Sequence, residues 1–303
     1  KENMKELDFM LERNTEIAKK QIRSIIQIGA EPLVFMITSK KPADLDRYSE
    51  VVRRIVKELR AAALESGKDL SILRFGNEPE VKYFWEGSME GFFETYKIWA
   101  KAVKSVSPKF ILEAPGLASP TSRYFGEDYY NEANEFTKEF LKYCKKENVP
   151  LDIFSFHYYG ANINNISMAA KAVKKELSEY PKLSPVFGIP KIAIDEWNIM
   201  VENKYNKIFD TVHTAAHNIS ALINMIKSDV FASIRFGGTG VPPTQPSIMG
   251  VFDKERIDRD KKNEKAGDFL MANLDRRPKP VHDAFKAFNE MYSTPNLLKI
   301  VTE

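Results

Sequence analysis

The stretch SILRFGNEPE (residues 71–80) runs a short apolar segment into a glycine, an asparagine, a glutamate and a proline. A short apolar run closed by Gly and Pro reads as a strand buried on both faces, ending before Asn77 and Glu78. Five similar runs accompany it: EPLVFMITS (31–39), KFILEAPG (109–116), LDIFSFHYYG (151–160), KIAIDEWN (191–198) and FASIRFGGTG (231–240). Measured between Pro32, Ser71, Phe110, Asp152, Lys191 and Ala232, the steps are 39, 39, 42, 39 and 41 residues. Amphipathic helical stretches lie between them. In DRYSEVVRRIVKELRAAALESG, Val52, Ile55, Val56, Leu59 and Ala63 share one face, and Gly67 is the stop. NEFTKEFLKYCKKEN and TAAHNISALINMIKS read the same way. Doubly buried strands alternating with helices specify an α/β fold with a parallel sheet.

Two architectures satisfy that pattern, a doubly wound open sheet and a (β/α)8 TIM barrel. No Gly-rich phosphate loop follows an early strand, and RFGGTG (235–240) leads into VPPTQP instead of a helix. Polar residues gather at the strand ends: Asn77 and Glu78, His157 and Tyr159, Glu196 and Asn198, and Arg235. Barrel enzymes carry their chemistry on that rim, so the barrel is the expected fold. Six strand–helix units are visible where a barrel has eight. Residues 1–28 read as a helix, with Leu7, Met10, Leu11, Ile17, Ala18, Ile22 and Ile25 on one stripe. The expectation is a barrel over residues 1–291 lacking its first two units, which would need roughly 80 residues upstream. NLLKIVTE, within a tail from 292 to 303, reads as a strand of an accessory β-domain. Open sheet edges call for cover, from a missing N-terminal segment or a second copy in a homo-oligomer.

Composition excludes several classes. The 303 residues carry 45 Lys and Arg against 42 Asp and Glu, a net charge of +3. The basic streak DKERIDRDKK (253–262) is interrupted by acids, so no nucleic-acid surface is expected. No apolar run reaches the length of a membrane span. A signal-peptide core is also lacking, and the chain opens at Lys1 within a helical pattern, which leaves cytoplasmic and secreted locations both open. Cys144 is the one cysteine, which rules out an intrachain disulfide and a thiolate metal site and reads as a packed thiol. His213 and His217 have helical i, i+4 spacing, but the glutamate that follows the first histidine of a zincin is lacking, so no metal site is expected.

Glu78 and Glu196 occupy matched contexts, NEP and DEWN, 118 residues apart. With the last strand counted as the eighth, Glu78 ends the fourth and Glu196 the seventh. A glutamate at a strand end also serves as a helix cap or surface ion-pair partner. Two in such contexts fit the paired carboxyl groups of a retaining glycosidase, about 5–5.5 Å apart. Asn77 suits a donor to the sugar 2-hydroxyl. Alternation along a strand would send Asn77 and Glu78 to opposite faces, so the ladder must break at Gly76 and Pro79. His157 and Tyr159 face the same way, and the tyrosine suits a nucleophilic carboxylate; His157 alone also fits a satisfied structural histidine. Trp85 reads as a sugar platform or a packed ring, Trp99 as core, and Asp195 as a structural acid turned towards the helices. The chemistry needs no metal and no organic cofactor.

These residues resemble a known group. NEPEVKYFWEGSMEGFFETYKIWAKAVKSVSP, FLKYCKKENVPLDIFSFHYYG, IMGVFD and RRPKPVHDAFKAFNEM are similar to segments of glycoside hydrolase family 39, the β-xylosidase and α-L-iduronidase family. That family belongs to the clan of retaining (β/α)8-barrel glycosidases. The resemblance implies Glu78 as acid/base and Glu196 as nucleophile, with Asn77, His157 and Tyr159 lining the sugar subsite. It implies a plant or microbial polysaccharide or oligosaccharide as substrate. Three departures stand out. Gly76 replaces the aromatic residue usual before Asn-Glu. DEWN is closer to family 51 arabinofuranosidases than to a family 39 TEYN. SIRFGG replaces a tryptophan-bearing stretch. Arg235 therefore has two readings, recognition of an anionic sugar such as a uronic acid or pairing with a barrel carboxylate. A catalytically incompetent fragment or sugar-binding module is the alternative to an enzyme.

Overall fold

The computed structural model of the protein describes residues 33–35, 40–65, 67, 71–124, 127–199, 211–236 and 279–292. The helical pattern of residues 1–28, the GGTG of 237–240 and the tail from 293 lie outside them. In chain order the elements are β1 (Leu33–Phe35), α1 (Leu45–Glu65), β2 (Ile72–Phe75), α2 (Met89–Val106) and β3 (Ile111–Leu117). There follow β4 (Thr121–Tyr124), β5 (Glu127–Ala133), α3 (Glu135–Lys146), β6 (Ile153–Tyr159) and α4 (Asn164–Ser178). The last are β7 (Lys191–Asn198), α5 (Val212–Lys227), β8 (Ala232–Arg235) and α6 (Pro280–Tyr292). All six strands read from the sequence form, joined in one sheet of order β1-β2-β3-β6-β7-β8. The α/β alternation is the one its spacing predicts.

The chain divides into two compact units. The first takes the chain as far as His157, then Met168–Asp195 and Val230–Ala232; the second takes Tyr158–Ser167, Glu196–Asp229 and the chain from Ser233. Strands β6, β7 and β8 run from one into the other.

In the first unit β1 pairs with β2, β2 with β3 and β3 with β6, all parallel, with Arg74 opposite Glu113 across β2 and β3. The expected stripe of α1 is its buried face: Val52, Ile55, Val56, Leu59 and Ala63 are all at most 5% exposed. Gly67 closes that helix at φ +79, its N–H donated to the Leu64 carbonyl. Helix α2 begins at Ser88, whose hydroxyl accepts the Gly91 N–H, and lays Phe92, Tyr96 and Trp99 around Phe75 at ring separations of 5.2, 5.6 and 5.3 Å. Phe75 therefore points to the helices, and by alternation Arg74 points to the opposite face. Cys144, on α3, is a fully buried thiol of this core. Its sequence gave no warning of the antiparallel hairpin β4–β5, because TSRY and EDYYNEA carry no apolar run.

In the second unit α5 packs on α6, and Trp197 of β7 stacks on Phe285 of α6 at 6.2 Å. The Phe236 N–H bonds the Trp197 carbonyl at 2.9 Å, continuing the pairing at the end of β8. Among the described residues no helix is long and apolar enough to cross a membrane.

Phe75 is the ring on which α2 docks, so Phe75→Ala should lower unfolding free energy by roughly 3–5 kcal/mol. Equilibrium urea unfolding measures it; a loss below about 1 kcal/mol would show that α2 is held elsewhere.

Candidate active site

The strand carrying the first acid stops where the sequence requires. After Phe75, Gly76 adopts φ +100, and a Cβ there would lie 2.2 Å from the Pro115 carbonyl oxygen and 2.9 Å from the Phe92 ring. No other residue fits that approach. Glu78 itself sits at φ +46, with its N–H donated to the Gly116 carbonyl at 2.7 Å. A left-handed backbone costs an L-residue roughly 1–2 kcal/mol and is met most often where function holds it. The ladder thus breaks as expected. Glu78 Oε1 accepts the His157 Nδ1 contact at 2.9 Å, and Asn77 Oδ1 takes a long contact of 3.5 Å from Arg74 Nη2.

Beneath Glu78, on the sheet face turned from the helices, lies a buried polar set. Arg74, Glu113, His157 and Asp195 are each at most 4% exposed. Arg74 Nη2 is 3.0 Å from His157 Nε2, and its Nε is 2.7 Å from Asp195 Oδ2 and 3.9 Å from Glu113 Oε1. The Arg74–Asp195 contact is charge against charge, because the Nε–H does not aim along it. Burial and the neighbouring Asp195 carboxylate push the Glu113 carboxyl up to about 8, against the pull of Arg74. At neutral pH Glu113 therefore holds a proton beside the Asp195 carboxylate. Asp195 was expected to face the helices. It faces Arg74 instead, since a buried guanidinium needs an anion within reach and strand periodicity alone does not say which face is which. Arg74 and Glu113 went unnoticed in the sequence reading. Their signal was a charge in the middle of an apolar strand, in ILRF and in ILEAPG, which must be paired if the strand is buried.

In the second unit Glu196 stands near the end of β7, and the Tyr159 hydroxyl donates to its Oε1 at 2.6 Å. The other expected sugar contacts are built into the packing. Asn198 is fully buried, its amide donating to the Phe236 carbonyl at 2.9 Å while its Oδ1 accepts the Ile199 N–H at 2.8 Å. Arg235 donates to Asn218 Oδ1 at 2.6 Å and lies over the Phe285 ring at 6.0 Å, so it is directed at helices α5 and α6. Burial lowers its pKa to about 10. In the first unit Trp85 is 3% exposed, edge-on to Phe92, with its indole N–H on the Ser88 carbonyl at 2.9 Å. A sugar platform needs an open ring face, so Trp85 is a packed ring. Trp99 is core, as read. His217 Nε2 donates to the Gly160 carbonyl at 3.0 Å, and His213 is exposed.

A family model for glycosyl hydrolases family 39 matches residues 27–297. The chain belongs to that family. It is 25% identical over 194 residues to a β-xylosidase from Caldicellulosiruptor saccharolyticus, a match covering 61% of this chain and 36% of that one. It is 24% identical over 221 residues to an α-1,4-L-rhamnosidase from Formosa agariphila, covering 72% and 41%. The solved structure of a glucosidase from Croceicoccus marinus superposes with a TM-score of 0.67 at 23% identity, over 90% of this chain and 52% of that one. That likeness fixes the fold as the (β/α)8-barrel type, of which the described residues supply six strands. The chain spans about a third to a half of the length of these relatives.

The Glu113 proton has a thermodynamic signature. A carboxyl whose pKa rises on folding binds its proton more tightly in the folded state. Its contribution is complete below the unfolded value near 4.5 and drains away as pH climbs towards 8. Glu113→Gln, which keeps a donor without the titration, should remove that drain, worth roughly 1–3 kcal/mol between pH 5 and 8. Urea midpoints at pH 5, 6.5 and 8 would check it, and identical pH dependence in both proteins would refute the held proton.

Proposed function

We propose that the chain carries the catalytic residues of a retaining glycosidase that works by double displacement. The observation that carries the reading is that each acid has its own partner, and both partners come from the His157-x-Tyr159 end of β6. In the first step Glu78 gives its proton to the glycosidic oxygen as a Glu196 carboxylate oxygen attacks the anomeric carbon. The carbon–oxygen bond to the leaving group breaks and a glycosyl ester on Glu196 forms. In the second step Glu78, now a carboxylate, takes a proton from water as that water attacks the same carbon and frees Glu196. Tyr159 donates to Glu196 Oε1, which holds the carboxylate in one orientation for the attack.

A β-xyloside is the first substrate class, by analogy with the β-xylosidase relative; a rhamnoside follows from the rhamnosidase relative. The side-chain placements of Arg235 and Trp85 give no support to uronic-acid recognition by Arg235 or to a Trp85 platform.

Incubation with 2-deoxy-2-fluoro xyloside, rhamnoside, arabinoside and glucoside carrying activated leaving groups, followed by peptide mass spectrometry, tests the reading. An adduct on Glu196 is expected, and Glu196→Gln should abolish it while lowering turnover by several orders of magnitude. Glu78→Ala should slow substrates with poor leaving groups by about 10²–10⁴-fold and spare activated aryl glycosides in the first step. A folded protein that binds sugars yet forms no adduct with any of them would make the chain a binding module.

A further inference from the structure

Arg74 touches neither acid oxygen of Glu78, yet its chemistry reaches that carboxyl through His157. A guanidinium has only N–H donors, so the 3.0 Å contact from Arg74 Nη2 requires a lone pair on His157 Nε2. An imidazole with a lone pair on Nε2 carries its proton on Nδ1. That Nδ1–H then points at Glu78 Oε1, 2.9 Å away, and makes this oxygen an acceptor. The protein reserves room for the arrangement: Gly116 adopts φ +66, and a Cβ there would come 2.7 Å from Arg74 Nη2 and 3.3 Å from Nε. The same Gly116 carbonyl holds the Glu78 N–H.

We infer that Arg74 is a positioning residue for the acid: by locking His157 in its neutral Nδ1–H tautomer it occupies Glu78 Oε1 and leaves the transferable proton on Oε2. This rests on the reading of Glu78 as the acid/base. Without Arg74, His157 Nε2 is free to take a proton, with Asp195 Oδ1 already 3.7 Å away to receive it. His157 Nδ1 then becomes an acceptor, or the ring becomes an imidazolium. In the first case Glu78 gives its proton to the histidine instead of the glycosidic oxygen; in the second it is held as a carboxylate with no proton to give. The charged and titratable groups facing this chain of contacts are Arg74 on β2, Glu113 on β3 and Asp195 on β7, with Glu78 after β2. Glu113 holds the balance, since its proton keeps Arg74 matched to one carboxylate below about pH 8.

The first measurement needs no substrate. The chain has four histidines, so long-range ¹H–¹⁵N spectra of histidine-labelled protein resolve each ring. His157 should show a protonated Nδ1 and an unprotonated Nε2 from pH 5 to 8, assigned by the signals lost in His157→Gln. An Nε2–H tautomer or an imidazolium at pH 7 in the parent protein would overturn the proposal, whatever the enzyme does. In Arg74→Met the ring should titrate or change tautomer; Arg74→Met/Asp195→Leu, which removes the buried pair together, serves if the single variant does not fold. The second measurement uses aryl β-D-xylosides. With 4-methoxyphenyl as leaving group, kcat/KM should fall by about 10²-fold or more, and with 2,4-dinitrophenyl by less than about 5-fold. Arg74→Lys should restore part of the difference. Equal losses on both substrates would make Arg74 a structural residue and refute the role. A locked tautomer without any xyloside turnover would leave Arg74's hold on His157 standing and count against the catalytic reading on which the proposal depends.

Discussion

A guanidinium buried at 3% exposure in the middle of a strand is the constraint around which the first unit is arranged. Removing a cation from water costs several kcal/mol even after relaxation, so the sheet face around Arg74 must supply opposing charge and acceptors. Asp195 supplies the charge at 2.7 Å and His157 the acceptor at 3.0 Å. Glu113, directly opposite in register, would make the set net negative if ionised, and burial resolves this by leaving it protonated. Burial and the Asp195 carboxylate together keep the Glu113 proton against the pull of the arginine. Replacement of such a set by apolar residues is often neutral or stabilising, so stability alone does not account for it. Its connection to Glu78 does.

The backbone makes a matching demand. Glu78 lies beyond the last ladder bond of β2, in a left-handed conformation held by the Gly116 carbonyl, and Gly76 lets the chain pass within contact of Pro115. Gly116 serves twice, once through its carbonyl and once through the side chain it lacks, since a Cβ would enter the space of the guanidinium. The turn that aims Glu78 and the space that holds Arg74 therefore share Gly116. In the second unit support is of another kind. Tyr159 donates to Glu196, while Asn198 and Arg235 tie the ends of β7 and β8 to each other and to α5.

Family membership and fold agree with the rhythm of the sequence, and the same is true of the breaking of the β2 ladder. Trp85, Asn198 and Arg235 are polar or aromatic residues near strand ends, and each satisfies a neighbour: the Ser88 carbonyl, the Phe236 carbonyl and the Asn218 amide oxygen. Composition near a rim says that a side chain is available, not which partner reaches it first.

By itself the sequence determined the α/β class, the six strands and the helices between them, the stop at Gly76 and the two candidate acids, with Tyr159 suited to the second. These follow from local rules: apolar periodicity, the φ freedom of glycine and the fixed two-residue alternation of a strand. What only the tertiary structure decided is which charges meet. Arg74, Glu113, His157 and Asp195 come from four strands separated by tens of residues, and each looks unremarkable in its own segment. Electrostatic pairing in a buried space depends on distance and dielectric, and neither exists until the sheet has assembled.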